Sequence, residues 1–348
     1  MRNPFIIGFG IKPEEYIPML TQRREVESAF EAPSSKNRAY VISGVRGSGK
    51  TVLMSEIAKR MGPDWVVIDI SSQDDLLSSL SSQLYSDRSM HKLFVKARID
   101  LSFLGIGLHV EESSSPAFDH QTAITLMLEE LQRHEKRLLV KIDEVANTAS
   151  MRKFASVFQI LISRELPIYL LMAGLPGNIR GLTDEKKSTF LLRTPKIEMP
   201  ALNMTSVRRS YMKSLGVAED VALYLAHLTK GSAFAYQVLG NLCWGKDIVP
   251  DSPEFTDILY EYDQYLQEYS YVKIWEELSE TDKRVSRAIA GIGDPCKVSE
   301  AREKLSMDSG EFNVYRTRLI QSGLLKTTAH GEVSFALPRF SIFVKDQL

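Results

Sequence analysis

The chain has 348 residues, of which 44% are hydrophobic and 25% charged, and its formal net charge is −1. This composition is typical of a globular protein of about two or three domains. No apolar run reaches the roughly 18 residues of a membrane span, and the N-terminal apolar stretch is too short for a signal peptide, so we expect no membrane partner. Cys243 and Cys296 form no metal-binding or redox spacing, which predicts a cytoplasmic location. The balanced charge excludes a protein that coats nucleic acid by bulk charge, but it does not exclude a local basic patch.

Residues 1–38 precede the first predicted strand and contain Ile11–Pro18, with two prolines, and a charged helix start at Arg23–Glu27. Two interpretations remain open at this stage. The prolines and apolar side chains pack either on an adenine ring or, as a strap, on the core of the domain.

The stretch Ala39–Thr51 carries the strongest motif. Tyr40-Val41-Ile42 is typical of a buried strand, and the next residues match G-x-x-x-x-G-K-[ST], a P-loop, before an apolar helical run. Its glycines let successive backbone N–H groups point inward at phosphate oxygens, and the following helix adds its positive dipole end. The residues predicted to bind the nucleotide are Gly44, Arg46, Gly47, Ser48, Gly49, Lys50, Thr51 and Val52.

Within this loop, Lys50 is predicted to reach the β- and γ-phosphates and to act in catalysis, and the hydroxyl of Thr51 is predicted to ligate Mg²⁺. The predicted cofactors are therefore ATP and Mg²⁺.

The pattern then predicts a strand over Trp65–Ile70 and a helix over Asp74–Tyr85. Residues 97–110 alternate polar and apolar side chains around Leu104-Gly105-Ile106, which predicts a hairpin. The hairpin either packs on the domain or offers a surface to a partner or nucleic acid.

After a predicted helix over Ala117–His134, the apolar strand Leu138–Ile142 ends in two acids, Asp143 and Glu144. Downstream of a P-loop, this pattern predicts that Asp143 supports Mg²⁺ through water. Glu144 is predicted to be the catalytic residue that polarises the water attacking the γ-phosphate.

Alternating elements complete the first domain: a helix over Ala155–Ser163, a strand over Pro167–Gly174, a short helix over Thr189–Arg193 and a strand over Lys196–Pro200. Strands that alternate with helices predict an α/β fold with a five-stranded parallel sheet covered on both faces. The fourth strand ends in Ala173 and Gly174, so a polar group that senses the phosphates must come from elsewhere.

From Thr205 to about Leu278 the chain is predicted to be helical, which describes an all-helical lid. The predicted helices are Ser206–Leu215, Ala218–Leu228, Ala233–Cys243 and a longer tyrosine-rich one. Its tyrosines either pack between domains or form a platform for stacking bases.

The last seventy residues predict three helices, Thr281–Ala290, Val298–Leu305 and Ser309–Ser322, followed by two strands around a turn at Ala329-His330-Gly331. This order predicts a winged helix-turn-helix. Phe312, Tyr315 and Leu319 recur at helical spacing and are expected to face inward, which turns Arg316 away from the core. The residues predicted to bind DNA are Arg316, Asn313 and, on the wing, His330. Residues 294–348 contain eight basic and seven acidic residues, so this module has almost no net charge. Docking of a partner protein therefore remains an alternative to DNA binding.

With these parts in view, the chain resembles the AAA+ ATPases of the origin-recognition and replication-initiator type and the related signal-transduction ATPases with numerous domains. The likeness rests on Gly44–Thr51 and Val140-Lys141-Ile142-Asp143-Glu144, and on pattern alone in the lid and winged helix. The chain departs from these families at two places. Gln22-Arg23 replaces the usual Gly-Arg pair, and Phe234 stands where initiators carry an arginine that reads the γ-phosphate.

The resemblance also implies an arginine finger supplied in trans, which maps to the catalytic candidate Arg193, with Arg180 as the competitor. It predicts a P-loop ATPase core over residues 1–200, a lid over 201–278 and a winged helix over 279–348. The expected function is ATP hydrolysis whose nucleotide state, ATP or ADP, controls homo-oligomerisation and binding of duplex DNA. The alternative is a signalling or defence switch whose winged helix binds a partner protein or gates the nucleotide, without DNA.

Overall fold

The computed structural model describes residues 2–8, 12–32, 37–97, 99, 119–183 and 189–347. The chain divides into two compact units. One contains Met19–Ser43 and Leu53–Glu198, and is called the core unit below; the other contains Met1–Pro18, Gly44–Val52 and Met199–Leu348, and is called the C-terminal unit. The predicted domain limits at residues 200 and 278 stay a prediction.

The core unit is built on a five-stranded parallel sheet, which confirms the predicted fold class. Its strands are β1 (Ala39–Ser43), β2 (Trp65–Ser71), β3 (Arg137–Asp143), β4 (Ile168–Gly174) and β5 (Lys196–Glu198). Their order across the sheet is β2-β3-β4-β1-β5. The central strands β1 and β4 are buried on both faces, as their apolar sequences require, whereas the edge strand β2 alternates between buried and exposed residues.

Helices of the core unit are α1 (Leu20–Glu31), α2 (Lys50–Arg60, whose first three residues belong to the C-terminal unit), α3 (Leu76–Ser86), α4 (His91–Lys96), α5 (His120–Arg133), α6 (Ala149–Ser163), α7 (Pro176–Thr183) and α8 (Thr189–Arg193). The starts of α3 and α6 differ from the prediction because capping residues decide them. The Asp75 carboxylate accepts a hydrogen bond from the N–H of Ser78, so α3 begins at Leu76 and not at Asp74. The Thr148 hydroxyl does the same for Met151, so α6 begins at Ala149, earlier than the predicted Ala155.

The predicted hairpin at 97–110 lies almost wholly outside the described residues.

Helix α1 is fixed to the P-loop helix by a buried ionic cluster. The Arg23 guanidinium, 8% exposed, lies 3.2 Å from Glu27 and 3.6 Å from Glu56 of α2. Arg23, which follows the glutamine that stands in place of the glycine of the Gly-Arg pair, thus connects α1 to the helix that follows the P-loop.

The middle of the C-terminal unit is helical, with α9 (Met204–Leu215), α10 (Glu219–Thr229), α11 (Ala233–Cys243), α12 (Pro253–Leu266), a π-helical turn over Gln267–Tyr271 and α13 (Val272–Glu277). The predicted tyrosine-rich helix is therefore interrupted by a π turn, a feature found often at functional sites. Of its tyrosines, Tyr262 and Tyr271 are buried, and Tyr260 and Tyr269 are exposed.

The N-terminal segment packs on the lid helices within this unit. The Phe5 ring is 1% exposed and lies against Tyr211 and Tyr236, and a Cβ on Gly240 would come within 2.5 Å of it. The Asn241 side chain donates a hydrogen bond to the Phe5 carbonyl at 2.8 Å. Of the two interpretations of this segment, a strap agrees with these contacts, although its support here is the lid.

The described end of the chain contains four helices and a three-stranded antiparallel sheet of order β6-β8-β7. The elements are α14 (Glu280–Ile292), β6 (Cys296–Lys297), α15 (Val298–Leu305), α16 (Ser309–Gln321), β7 (Leu325–Thr327), β8 (Glu332–Phe335) and α17 (Phe340–Lys345). This order is typical of a winged helix, to which β6 and α17 are additions that the sequence pattern does not predict. In the described ranges no helix has both the length and the apolar character needed to cross a membrane.

Candidate functional site

The P-loop leaves the sheet directly after β1, and its three glycines are required for one of two reasons, backbone conformation or close packing. Gly47 and Gly49 have φ angles of 73° and 90°, a backbone conformation that residues other than glycine rarely adopt. At Gly44, a Cβ would come within 2.6 Å of the Ser48 hydroxyl and 2.8 Å of Met199. The loop therefore keeps a bare backbone surface along its turn.

The residues of the loop fit a nucleotide phosphate. The Lys50 ammonium donates hydrogen bonds to the carbonyls of Gly44 and Val45, both at 2.9 Å, so it lies beside the start of its own loop. Helix α2 begins at Lys50, and the first four N–H groups of a helix have no partner inside it. Bare glycine backbone, an ammonium and a helix N-terminus together form an anion-binding arrangement. Thr51 is exposed on the first turn of α2, where its hydroxyl would hold Mg²⁺.

Phe234, the residue at the expected arginine position, lies directly on this loop. Its backbone N–H, in the first turn of α11, donates a hydrogen bond to the Gly47 carbonyl at 2.9 Å. A Cβ on Gly47 would come within 2.6 Å of the Phe234 Cβ. The lid helix thus contacts the loop through its backbone and an aromatic side chain, without a cation at this position.

The two predicted acids lie at the end of β3. Asp143 is its last residue, and its carboxylate accepts a hydrogen bond from the N–H of Glu144 at 2.8 Å. Glu144 is exposed and has a φ of 54°, a strained conformation for glutamate of the kind that concentrates at functional sites. Because β3, β4 and β1 are parallel neighbours, the acids lie at the sheet edge where β1 also ends. Ligands of open α/β sheets bind at this edge, where strand order reverses.

The end of β4 holds the backbone that follows these acids. The N–H of Val145 donates to the Ala173 carbonyl at 2.9 Å, and a Cβ on Gly174 would come within 3.0 Å of the Val145 carbonyl. Small residues are needed here for packing, which explains why this strand end offers no polar side chain. Asn147, three residues after Glu144, is a polar group that the sequence interpretation missed, and its amide donates to the Gly181 carbonyl.

A second missed residue is Lys141, on the same face of β3 as Asp143. Its ammonium lies 2.7 Å from the Asp69 carboxylate, directly across on β2, and its side chain is only 11% exposed. A lysine inside an otherwise apolar strand is a signal in the sequence, but its partner depends on the strand register.

The two arginine-finger candidates differ in their surroundings. Arg193 ends α8 and is exposed, and it makes no hydrogen bond or ion pair with any residue that the structure describes. Arg180, in the last turn of α7, does interact with another group of the protein.

The DNA-binding candidates are arranged differently from the prediction. Phe312 and Leu319 are each 1% exposed, as expected, but Tyr315 is only partly buried. Arg316 is also half-buried, with its guanidinium 3.4 Å from the Thr327 hydroxyl of β7 and 3.4 Å from the Asn313 amide oxygen. The expectation that Arg316 turns fully away is therefore corrected, because the wing covers it.

The next arginine along α16 is also engaged within the protein. The Arg318 guanidinium lies 2.6 Å from the Asp282 carboxylate, which is 5% exposed. The exposed part of α16 includes Asn313 and Val314, the latter 61% exposed, and His330 is exposed on the wing.

Comparison with known proteins agrees with this fold. The family model "Mitochondrial ribosomal death-associated protein 3" matches residues 24–104, and "Domain of unknown function (DUF8462)" matches residues 268–344. No curated protein matches the chain in sequence. Among solved structures, the ORC2 protein of Aeropyrum pernix in its ADPNP–ADP complexes is 14% identical, with a TM-score of 0.64 over 98% of this chain and 96% of that one. The chain has the fold of that protein.

Two further structures support the same fold. A Walker-type ATPase of Pyrococcus abyssi is 13% identical, with a TM-score of 0.63 over 95% of this chain and 96% of that one. The ADP form of the Aeropyrum pernix ORC2 protein is 14% identical, with a TM-score of 0.50 over 98% and 96%. The resemblance to initiator-type AAA+ ATPases is thereby confirmed at the level of fold.

Proposed function

We propose that the chain binds ATP with Mg²⁺ and hydrolyses it, and that its nucleotide state controls oligomerisation and the output of the winged helix. The observation that carries this proposal is the conformation of the P-loop. The Lys50 ammonium donates to the carbonyls of Gly44 and Val45, and the two loop residues with positive φ are both glycines, Gly47 and Gly49. The fold shared with an ORC2 protein whose structure is that of its ADPNP–ADP complexes supports it.

In this proposal Lys50 and the N–H groups of the loop bind the phosphates, and Thr51 and Asp143 hold Mg²⁺, which would neutralise charge that develops on them. Glu144 acts as the general base that takes a proton from the attacking water. Its exposed carboxylate at the sheet edge supports this role. Arg193, supplied by a second copy of the chain, would stabilise the transferred phosphoryl group.

Isothermal titration calorimetry of the wild type and of Lys50→Ala, each with ATP and Mg²⁺, tests the proposal. The variant loses a phosphate ligand but no core contact, so it should fold and bind ATP much more weakly. The control is Lys59→Ala, near the other end of α2, which should bind as the wild type does. Equal ATP affinity for Lys50→Ala and wild type would refute the proposal.

For the output, duplex DNA is the first candidate, bound through Arg316, Asn313 and His330. Since the module is nearly neutral, we expect few phosphate contacts and a log–log salt slope on the order of −2 to −4, reduced by about one unit in Arg316→Ala. Fluorescence anisotropy with labelled duplex, with and without ATP, measures this slope. No binding at the lowest salt in either nucleotide state would exclude DNA.

A specific observation favours the second candidate, docking of a partner protein. The two arginines of α16 both interact inside the protein, Arg316 with Thr327 and Arg318 with Asp282, and an exposed valine, Val314, remains on the helix. If α16 docks a protein, Val314→Asp should abolish partner binding and leave ATP binding unchanged. If α16 binds DNA instead, the same variant should lose DNA affinity.

A further inference from the structure

Three consecutive residues of the P-loop are each contacted by a different element of the C-terminal unit. Val45 touches the turn before β7, because a Cβ on Gly323 would come within 2.4 Å of its Cγ1. The Arg46 guanidinium Nη2 lies 2.8 Å from the Glu277 carboxylate at the end of α13. Gly47 accepts the hydrogen bond from Phe234 of the lid. The outer side of the loop is therefore a docking surface for the lid and the winged helix together.

The lid helices and the winged helix are themselves linked by partly buried polar bonds. The Lys230 ammonium at the end of α10 lies 2.9 Å from Asp294 and 3.1 Å from the Phe335 carbonyl of the winged helix. Arg339, before α17, forms a two-pronged ion pair with Asp263 of α12. Two ion pairs therefore connect the lid helices to the winged helix, which also contacts the loop through Gly323.

Among the three contacts, only the pair of Arg46 and Glu277 carries charge. Both side chains are partly exposed, 24% for Arg46 and 48% for Glu277, so the pair is accessible to competing groups. Only Nη2 of Arg46 has a described partner, and its buried Nε has no acceptor. An arginine has five donors, so a phosphate in the loop would offer a second acceptor to the same guanidinium.

We propose that the Arg46–Glu277 ion pair is a latch that holds the lid and winged helix on the outer side of the P-loop and slows nucleotide exchange. The proposal rests on the proposed nucleotide site. Coupling is reciprocal: if the latch strengthens the binding of nucleotide, bound nucleotide strengthens the latch by the same factor. Partly exposed ion pairs change an equilibrium constant by up to about fivefold, which sets the expected size.

The chain offers a matched control, because Glu276 is the adjacent exposed acid and has no ion pair among the described residues. Release of a fluorescent ADP analogue would be followed by stopped flow in the full-length wild type, Glu277→Gln, Glu277→Lys and Glu276→Lys. We expect release to quicken about twofold to fivefold in Glu277→Gln and by more in Glu277→Lys, where repulsion replaces attraction. Glu276→Lys should behave as the wild type.

Hydrogen exchange of the nucleotide-free protein provides a readout that does not depend on ligand. Loss of the latch should raise amide exchange over residues 44–49 in both Glu277 variants and not in Glu276→Lys. Equal release and equal exchange in all four proteins would overturn the latch. If the wild type fails to bind the ADP analogue, the proposed function fails instead, and the exchange data alone decide the latch. Glu277→Gln preserves side-chain shape, so it keeps the test valid if the lysine variant does not fold.

Discussion

Lys230 provides a quantitative test of the link between the lid and the winged helix. Its ammonium bridges Asp294 and the Phe335 carbonyl, and the same carboxylate accepts from the Ser334 hydroxyl at 2.5 Å and from the Phe335 N–H at 3.0 Å. Lys230→Met keeps the apolar stem and removes the charge. A hydrogen bond to a charged group contributes about 1.5–3 kcal/mol, and partial exposure, 29% for Lys230 and 14% for Asp294, reduces this to about 1–2 kcal/mol.

The sign of the pH dependence follows from Asp294. Burial opposes ionisation of Asp294, but hydrogen bonds from Ser334, Lys230 and Phe335 outweigh it and hold the pKa of that carboxyl below its ordinary value. A carboxyl with a lowered folded-state pKa stabilises the fold above its unfolded pKa of about 3.9, and this stability is lost as pH falls through the lower, folded value. The difference between wild type and Lys230→Met should thus be full at pH 7 and shrink below about pH 4.

Thermal unfolding followed by circular dichroism measures this difference. We expect the melting temperature of Lys230→Met to fall by about 2–8 °C at pH 7, given about 2–4 °C per kcal/mol for domains of this size. The control is Lys326→Met, an exposed lysine on β7 with no ion pair in the described chain, which should change little. Equal melting temperatures for the two variants, or a deficit that persists unchanged into acid, would refute the reasoning.

Three further predictions concern the catalytic groups and the thiols. Glu144→Gln should bind ATP but turn it over at least about a hundredfold more slowly, measured by phosphate release, and a near wild-type rate would assign the base elsewhere. Mixing Arg193→Ala with Glu144→Gln should restore part of the activity if Arg193 acts in trans; no recovery in proven oligomers would favour a site within one chain. Burial raises the pKa of the Cys243 thiol to about 12 and of Cys296 to about 11, so neither should react quickly with a disulfide reagent at pH 8, and rapid labelling of the folded protein would contradict their burial.

The core unit could be predicted from sequence because its signals are local. Strands buried on both faces, such as Ile168–Gly174, appear as continuous apolar runs, and the turn chemistry of the P-loop requires glycine at fixed positions. The two acids after β3 could be predicted for the same reason, because the residues beside a strand end or a helix start indicate where the element ends or begins. Errors in this unit are mostly at helix ends, where one side chain, such as Asp75 or Thr148, decides the boundary.

The contacts made by the C-terminal unit could not be predicted in this way. The bond from Phe234 to Gly47 uses a backbone N–H, which every residue but proline has, so no residue type marks it. The pair of Lys141 and Asp69 depends on the register of two strands far apart in sequence. Helical spacing placed Arg316 outside the core of its own module but contained no information on the wing strand that covers it.

These long-range contacts also bear on how nucleotide state would reach the winged helix under the proposed function. An initiator with an arginine in its lid reads the γ-phosphate through a side-chain charge, and this chain has Phe234 in that place. Here the lid contacts the backbone of the loop itself, so under the proposed function a change in the loop's conformation would reach α11 through the bond from Phe234 to Gly47. Lys230, just after α10, pairs with Asp294 of the winged helix, which offers a contact through which a movement of the lid would be passed on. Under the proposed function, these contacts would connect the P-loop to the winged helix without an arginine at position 234.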